Sequence, residues 1–414
     1  MLDIQKIRDQ REVIQASLSK RLNPADFDLD KIVALDDQRR DLITKADELK
    51  AEQNKLSKGG KPSPEQIEAG KQLREKIKGM DAELDDVQRR LNEMLSALPN
   101  IVADDVVAGD KENNQILYSF GDKPEFDFEP LDHIELAKKH KLIDYERAAK
   151  MSGSGFWIYT GRGAELEWAL LNYFVDFHKQ NGYTFLLTPY LLTEQSAYTS
   201  GHLPKFRDDL FWTEDKLCLN ATSEMMLGNM HRDEIMEEAD LPLKYYAYSS
   251  CFRREAGAYR TEERGMIRGH QFNKIEMFHF TRPEGSWAAF DELLRCAEEL
   301  VKGLELHFNT VQLAARDCSA AMAKTIDLEV YIPSMKIYKE VSSISNALDY
   351  QARRGNIRFK NSATGKNEYV HTLNASGLAT SRLLPAILEQ FQQADGSVKI
   401  PKALQPYLGY KEIV

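Results

Sequence analysis

The feature that most constrains this 414-residue chain is a pair of heptad stretches near its start, interrupted once. Ile32, Leu35, Arg39, Leu42, Ala46, Leu49, Gln53 and Leu56 step alternately by 3 and 4. Leu73, Ile77, Met80, Leu84, Val87, Leu91, Met94 and Leu98 step in the complementary order. Between them lies KGGKPSPE, Lys58 to Glu65, rich in the residues that break helices. Repeats of this kind form coiled-coil seams, and the break folds them into an antiparallel hairpin with arms about 40 Å long at the usual helical rise. Most such stretches serve dimerisation. A hairpin already satisfies its own seam, however, and is free to reach outward. Its far end is basic, with Lys55, Lys58, Lys61, Lys71, Arg74, Lys76 and Lys78 against Glu65, Glu68 and Glu75. On a chain of net charge −10 this end is expected to meet a polyanion, with Lys58, Lys61, Lys71 and Arg74 as the contacts.

The rest of the composition bounds the answer. Hydrophobic residues at 42% and charged ones at 29% give a soluble balance with material for two or three domains. The acidic total excludes a protein that binds nucleic acid over a generally basic surface. Cys218, Cys251, Cys296 and Cys318 are far apart and form no CxxC pair, which argues against zinc and against a disulfide framework. Met1 runs directly into the charged LDIQKIRDQRE, so no secretory leader is expected, and no apolar run reaches membrane-spanning length. These features predict a cytoplasmic protein with no membrane partner.

Taken in order, the spacing predicts one short amphipathic helix carrying Ile4, Ile7, Val13, Ile14 and Leu18, then a turn at Pro24. Residues 101–114 read as a linker, dividing a domain 1–103 from a domain 104–414. Helices are expected over 131–150, 164–180, 288–306 and 377–392. Gly182 ends the second of these, and YTFLLTPYLL forms a strand that stops at Pro189. Strands are also expected over 327–332 and 336–342. Hairpins dominate and strands do not alternate with helices, which predicts an α+β fold with an antiparallel sheet rather than a doubly wound one. No GxxxxGK[ST] or GxGxxG occurs, so a nucleotide would have to be held by side chains.

The densest chemistry lies in CFRREAGAYRTEERGMIRGHQFNKIEMFHF, Cys251 to Phe280. It reads as two extended halves around a loop, Ala256 to Gly265. By strand alternation Arg253 and Glu255 share a face, and so do Phe272, Lys274, Glu276 and Phe278. Arg and Glu on one antiparallel floor can hold a phosphate and a purine amine together. Standing alone, such a hairpin is more often a solvated surface element.

FRREAG followed by RGMIRGHQFNKIE, the segment Gly163 to Pro189, LNASGLATSRLLPAILE, ATSE, and EVSSISNALDYQARR occur in one order behind the heptad hairpin. Together they resemble the seryl-tRNA synthetases, class II aminoacyl-tRNA synthetases of the common zinc-free type, over nearly the whole chain. The resemblance implies a class II catalytic domain behind a coiled-coil arm that grips tRNA(Ser), and a homodimer through residues 163–189. It implies a ligase that makes seryl-adenylate from L-serine and ATP and then charges tRNA(Ser), and tRNA(Sec) where that tRNA exists. Arg253 would bind the α-phosphate, with the Arg254 backbone nearby and Glu255 at the adenine amine. Arg268 and Arg382 would take the outer phosphates, and Phe272 would stack on adenine beside Gly269. Val341 and Ser342 complete the ATP-binding stretch, and Glu340 and Ser343 are the matching Mg2+ ligands. Thr222, Ser223 and Glu224 would bind the serine ammonium group, and Glu276, Asn374 and Ser376 its hydroxyl. Arg253, Glu276 and Arg382 are the residues on which catalysis is expected to rest.

Four departures from the commonest family pattern stand out. Gly155 replaces a usual arginine, and RDCSAAMA, Arg316 to Ala323, lacks glycines often found around Asp317. TSE stands for TAE, and RRE for RSE. Two other readings compete with an active synthetase. A carrier-protein amino-acid ligase of related fold would lack the hairpin, and an inactive tRNA-binding paralogue would lack Arg253, Glu255, Glu340 or Arg382.

Overall fold

The computed structural model describes residues 1–56, 63–256 and 265–414, and Lys58 and Lys61 lie outside these. Two compact units emerge, Met1–Ile101 and Val102–Val414.

In the first unit the N-terminal segment is two helices, not one: α1 (Ile4–Asp9) and α2 (Arg11–Ser19), broken at Gln10. Ile7, Ile14 and Leu18 are buried while Val13 is exposed. Two long helices follow, α3 (Leu29–Leu56) and α4 (Pro64–Ala97). Helix α4 starts on a full capping box, Ser63 with Gln66, and carries Pro64 in its first turn, where no amide donor is required. Its seam buries Leu73, Ile77, Val87, Leu91 and Leu95 against α3, which contributes Ile32, Leu35, Leu42 and Ala46. Each such side chain, fully buried, stabilises by about 1.5–3 kcal/mol.

One polar group interrupts this seam. Asp36 is fully buried and accepts from Arg8 of α1 (2.8 Å) and from Arg39 (2.7 Å), with Arg40 at 2.9 Å. Burial pushes its carboxyl up, but the bonds from Arg39 and Arg8 and the charge of Arg40 outweigh this, and the net direction is down. Asp36 therefore pins α1 to the base of the hairpin.

The second unit is built on an eight-stranded sheet. Its strands are β1 (Gln115–Phe120), β2 (Thr184–Leu186), β3 (Leu243–Phe252), β4 (Gln271–Thr281), β5 (Phe308–Gln312), β6 (Lys324–Ile332), β7 (Ile337–Leu348) and β8 (His371–Ala379). They lie in the order β1-β5-β6-β7-β8-β4-β3-β2, antiparallel throughout except for the parallel β2–β3 pair. Three helices, α5 (Arg162–Gln180), α6 (Ser286–Gly303) and α7 (Thr380–Gln390), bury their apolar faces in the main core. The strands supply Ile275 and Met277 of β4, Ile326, Leu328 and Val330 of β6, Ile344 of β7, and Leu373 and Ala375 of β8.

Several expectations are corrected. Residues 131–150 form two helices, His133–Lys139 and Tyr145–Ser152, separated by Lys141 at φ 51°. YTFLLTPYLL gives β2 and then a short strand, Leu191–Thr193, in a different sheet. The C-terminal helix begins at Thr380 and not at Gly377, because residues 371–379 alternate as a strand. Gly377 is needed there: a Cβ would lie 2.4 Å from the His178 ring, whose Nε2 meets the Gly377 carbonyl. The expected linker is docked rather than loose, since Val102 and Val106 pack on Ala315 and the Ala103 amide donates to Ala323.

Replacing Asp36 with Asn should cost about 3 kcal/mol, the typical penalty for stripping one partner from a buried ion pair. Because the Asp36 pKa is depressed on folding, its contribution is complete above the ordinary carboxylate range and lost as the pH falls below about 4. Urea unfolding followed by helical circular dichroism should show parent and Asp36→Asn far apart at neutral pH and converging in acid.

Candidate active site

Strand alternation decides where the site lies. On β4, β6, β7 and β8 the residues between the core positions turn to the other face of the sheet, and they are polar: Lys274, Glu276, Thr325, Asp327, Glu329, Ser343, Ser345, Asn374 and Ser376. Glu340 joins them through a bulge. Positions 340 and 343 would fall on opposite faces of a regular strand. Here Leu328 pairs with Ser342 and Glu329 with Glu340, so Val341 is the extra residue and both side chains come to one face.

A cavity of about 190 Å³ opens on this face, lined by Thr222, Glu224, Arg253, Lys274, Glu276, Glu340, Ser343, Asn374 and Ser376, with His202, Phe206, Ser319 and Met322 on its rim. Thr222 and Glu224 arrive at the start of a short helix, Glu224–Leu227. Gln351 holds Glu224, donating to its Oε1 at 2.7 Å and to the Ser200 carbonyl at 2.8 Å. Burial first, and the charge of Glu276 second, push the Glu224 carboxyl up to about 7. Glu276 accepts from Asn374 at 3.1 Å and pairs with Lys274 at 2.5 Å, and Lys274 also donates to Thr222 Oγ1 at 2.7 Å. His202 is pushed down to about 3 by burial and then by Arg253, Lys274 and Arg354, so it is neutral at physiological pH.

Next to this cavity lies an arginine-rich one of about 360 Å³, lined by Arg253, Glu255, Arg268 and Arg382. A third, of about 450 Å³, adds Lys111, Lys205, Arg316 and Lys339 opposite Asp317, Asp327, Glu329 and Glu340. The three share lining residues and form one branched cleft. Arg253 lies 5.2 Å over the Phe272 ring, and its Nε donates to the Ala221 carbonyl. Arg268 forks onto Glu255 at 2.5 and 2.6 Å. Arg382, in the first turn of α7, donates to the Glu340 carbonyl at 2.7 Å with the Glu340 carboxylate 3.5 Å away. Gly269 has no room for a side chain, because a Cβ would sit 2.1 Å from the Trp157 ring.

Two sequence expectations need correction here. β3 ends at Phe252, so Arg253 to Glu255 lie outside any strand and alternation does not govern them. Glu255 instead takes φ 51°, and this turn is what brings it onto Arg253's side of the cleft. Arg254 is exposed and meets the site only by its backbone, donating to the Asp209 carbonyl. Ser223 turns away from the cavity to Ser249, Val341 is in the core, and Ser342 donates to the Ser376 carbonyl. Lys71 is exposed on the arm beside Glu68, and Arg74 is exposed near it.

Sequence reading missed Lys274 as a lining residue, although its parity with Glu276 placed it there. It also missed His202, Ser319 and Met322, which come from distant loops, Gln351, from a short helix Tyr350–Gly355, and Asp327 of β6. The departures find their places too. Gly155, at φ 80°, leaves room for the His270 ring, whose Nδ1 meets the Arg253 carbonyl. The loop 316–323 brings Ser319 and Met322 to the cavity and packs Ala321 on Gly201.

Among the described residues no three His, Cys, Asp or Glu side chains converge closely enough to hold a metal by themselves. The donor set on the sheet still fits a hard cation that borrows ligands from a substrate. Glu340 and Ser343 share a face, and the buried Asp327 beside them leaves Oδ1 without a hydrogen-bond partner. Burial, with Glu340 adjacent, pushes the Asp327 carboxyl well up.

A polar sheet face joined to an arginine-lined cleft, with no phosphate-binding loop, is what a class II aminoacyl-tRNA synthetase core presents. Residues 205–391 match the tRNA synthetase class II core domain (G, H, P, S and T), and residues 1–102 match the seryl-tRNA synthetase N-terminal domain. The chain is 51% identical to serine–tRNA ligase 2 of Clostridium acetobutylicum, with 99% of each chain covered. The seryl-tRNA synthetase of Pyrococcus horikoshii, solved with ATP, superposes with a TM-score of 0.92 at 34% identity, covering 100% of this chain and 99% of that one. The cytoplasmic serine–tRNA ligase of Naegleria fowleri, solved with AMP, gives 0.87 at 30% identity, covering 100% and 98%. The chain belongs to the seryl-tRNA synthetase family and is an enzyme of the ligase class.

The raised Glu224 pKa makes a prediction. A group whose pKa is raised on folding contributes stability below its unfolded value, and this is lost as the pH rises through about 7. Glu224→Gln keeps an acceptor for Gln351 but cannot ionise. Between about pH 5 and pH 8 the parent should lose thermal stability that this variant retains. Glu167, also pushed up to about 7 by burial, is common to both proteins and cancels in the comparison.

Proposed function

We propose that this chain activates L-serine with ATP, releasing pyrophosphate, and passes the seryl group from the adenylate to tRNA(Ser). The observation that carries this reading is the continuity of the small buried cavity with the arginine-lined cleft. One holds an amino acid, the other a triphosphate, and their junction is Arg253. The ATP bound by the Pyrococcus horikoshii relative supports the same assignment.

Arg253 receives the α-phosphate, and Arg268 and Arg382 the outer two, so fixed guanidinium charge meets the charge that develops there. Adenine stacks on Phe272 over the Gly269 backbone, with Glu255 at its amine and the Arg254 backbone nearby. Val341 and Ser342 contribute by their place in the strand. Glu340 and Ser343 hold Mg2+, which when bound neutralises phosphate charge. Thr222 and Glu224 take the serine ammonium group, with Ser223 bracing that loop. Glu276, Asn374 and Ser376 take the hydroxyl. The serine carboxylate is itself the nucleophile, so no enzyme nucleophile is needed.

The basic arm end, with Lys58, Lys61, Lys71 and Arg74, grips the tRNA, and tRNA(Sec) is served in the same way where it exists. Trp168, Phe185, Leu187 and Leu191 expose apolar surface between residues 162 and 193, which supports a homodimer through that segment. Four buried cysteines, none in a disulfide, and the lack among the described residues of any helix long and apolar enough to cross a membrane, support a cytoplasmic enzyme. The intact arm weighs against a carrier-protein ligase, and the intact arginines against an inactive paralogue.

Serine-dependent ATP–pyrophosphate exchange followed by charging of tRNA(Ser) tests the reading, and absence of both overturns it. Arg253→Ala and Arg382→Ala should each lower exchange by roughly 10²- to 10³-fold while the protein stays folded. Exchange at the parental rate would remove the residue from the phosphate site. Replacing Lys58, Lys61, Lys71 and Arg74 together with Ala should leave exchange intact, weaken tRNA binding and flatten its dependence on salt, because fewer counterions are released. Equal slopes across a salt series would make the arm a solvated strut.

A further inference from the structure

Lys274 is the cavity residue to which nothing above gives a role. It is a lysine with only 6% of its surface exposed, and burying an ammonium group is costly unless its partners are well placed. Its partners are two groups that the proposed reading gives to the substrate: Glu276, 2.5 Å away, and Thr222, 2.7 Å away. Glu276 is held from the other side by Asn374, 3.1 Å from Oε1. Oε1 thus has one protein donor, while Oε2 has the Lys274 ammonium group beside it but no hydrogen-bond partner among the described residues, so both oxygens retain lone pairs for a ligand.

The cavity also contains a second carboxylate. Glu224 and Glu276 repel each other across the cavity, so the orientation of Glu276 depends on the groups that hold it. Lys274 is ion-paired to Glu276, while Glu224 is held by a neutral amide, Gln351. The charged groups facing Lys274 are Glu276 on its own strand, Glu224 and Arg253 across the cavity, and His202, kept neutral, on the rim.

We infer that Lys274 is a positioning residue for the amino-acid hydroxyl: it fixes Glu276 as an oriented anionic acceptor and locks Thr222 beside it, and so sets the preference for a β-hydroxy amino acid. This rests on the reading of the cavity as the serine site. It makes a specific demand on kinetics. Loss of Lys274 must hurt recognition of the hydroxyl, not the handling of ATP, since no phosphate-side group among the described residues bonds to it.

The test is ATP–pyrophosphate exchange with the full-length protein, varying serine, alanine and ATP, on the parent, Lys274→Met, Lys274→Arg, Glu276→Gln and Lys274→Met/Glu276→Gln. Lys274→Met should raise KM for serine roughly 10- to 100-fold, as expected for losing a hydrogen-bonded charge. KM for ATP should stay within about twofold, and the serine-over-alanine preference in kcat/KM should fall by a similar factor. Lys274→Arg should restore part of the preference. If Lys274→Met does not fold, the double variant, which leaves no unpaired buried charge, replaces it. On a Glu276→Gln background the Lys274 substitution should add little, because the two act as one unit. A parental serine KM and serine-over-alanine ratio in the folded variant would overturn the inference. So would equal losses for serine and ATP, or full additivity with Glu276→Gln. A parent that shows no serine-dependent exchange would instead overturn the reading of the cavity itself, which keeps the two failures distinct.

Discussion

The catalytic unit depends on one constraint, the twofold alternation of side chains along β4, β6, β7 and β8. Every second residue on these strands is apolar and lies beneath α5, α6 and α7. Between them lie the polar residues that form the floor of the cleft, while at the far end of β4 Phe278 and Phe280 on that face pack into a second core cluster. Core and site are thus two faces of the same four strands. A slip of one residue in any of them would bury its polar set under the helices and expose its apolar set to the cleft. The bulge at Val341 breaks the alternation of β7 between two cleft residues. It lets one strand keep Val341 and Ile344 in the core while Glu340 and Ser343 both face the cleft.

A polar floor this well buried has to be compensated locally, and pairing is how this is done. Lys274 is matched by Glu276 and Thr222, Glu224 by Gln351, Arg268 by Glu255, and Arg382 by a backbone carbonyl. The unliganded site is therefore pre-organised by its own groups. Where pairing is incomplete, at Asp327 and Glu224, the carboxyl pKa rises. Those are the places where an incoming cation or ammonium group would be most favoured.

Much of this was legible in the sequence, and what was not has physical reasons. The heptads gave α3 and α4 almost to the residue, since a 3.5-residue repeat over eight positions admits few other structures. Parity along Phe272 to Phe278 correctly separated Lys274 and Glu276 from Ile275 and Met277. The same rule failed at Arg253 to Glu255, because a positive φ at Glu255 ends the extended geometry on which parity depends. The helix expected from Gly377 starts only at Thr380, and residues 371–379 are a strand although Asn374, Ser376 and Gly377 are cap-forming types. Their strand state is imposed by pairing with β4 and β7, contacts remote in sequence. His202, Ser319 and Met322 reach the site from loops, where no period announces a side chain's direction.

The two units also show what decides the behaviour of a buried carboxylate. Asp36 in the arm is buried, as Glu224 is, yet its pKa is depressed, because three guanidinium groups converge on it. Glu224 has one neutral amide within bonding distance, and its pKa rises. Burial raises both, and the count of cationic donors sets the sign. In the arm, whose task is to be rigid, the charge is over-compensated and serves as a fastening. In the cavity it is under-compensated, and under the proposed reading the ammonium group of the substrate supplies the partner. The same side-chain chemistry thus gives a structural tie in one unit and a candidate receptor for substrate charge in the other, and the difference is how many cationic donors face it.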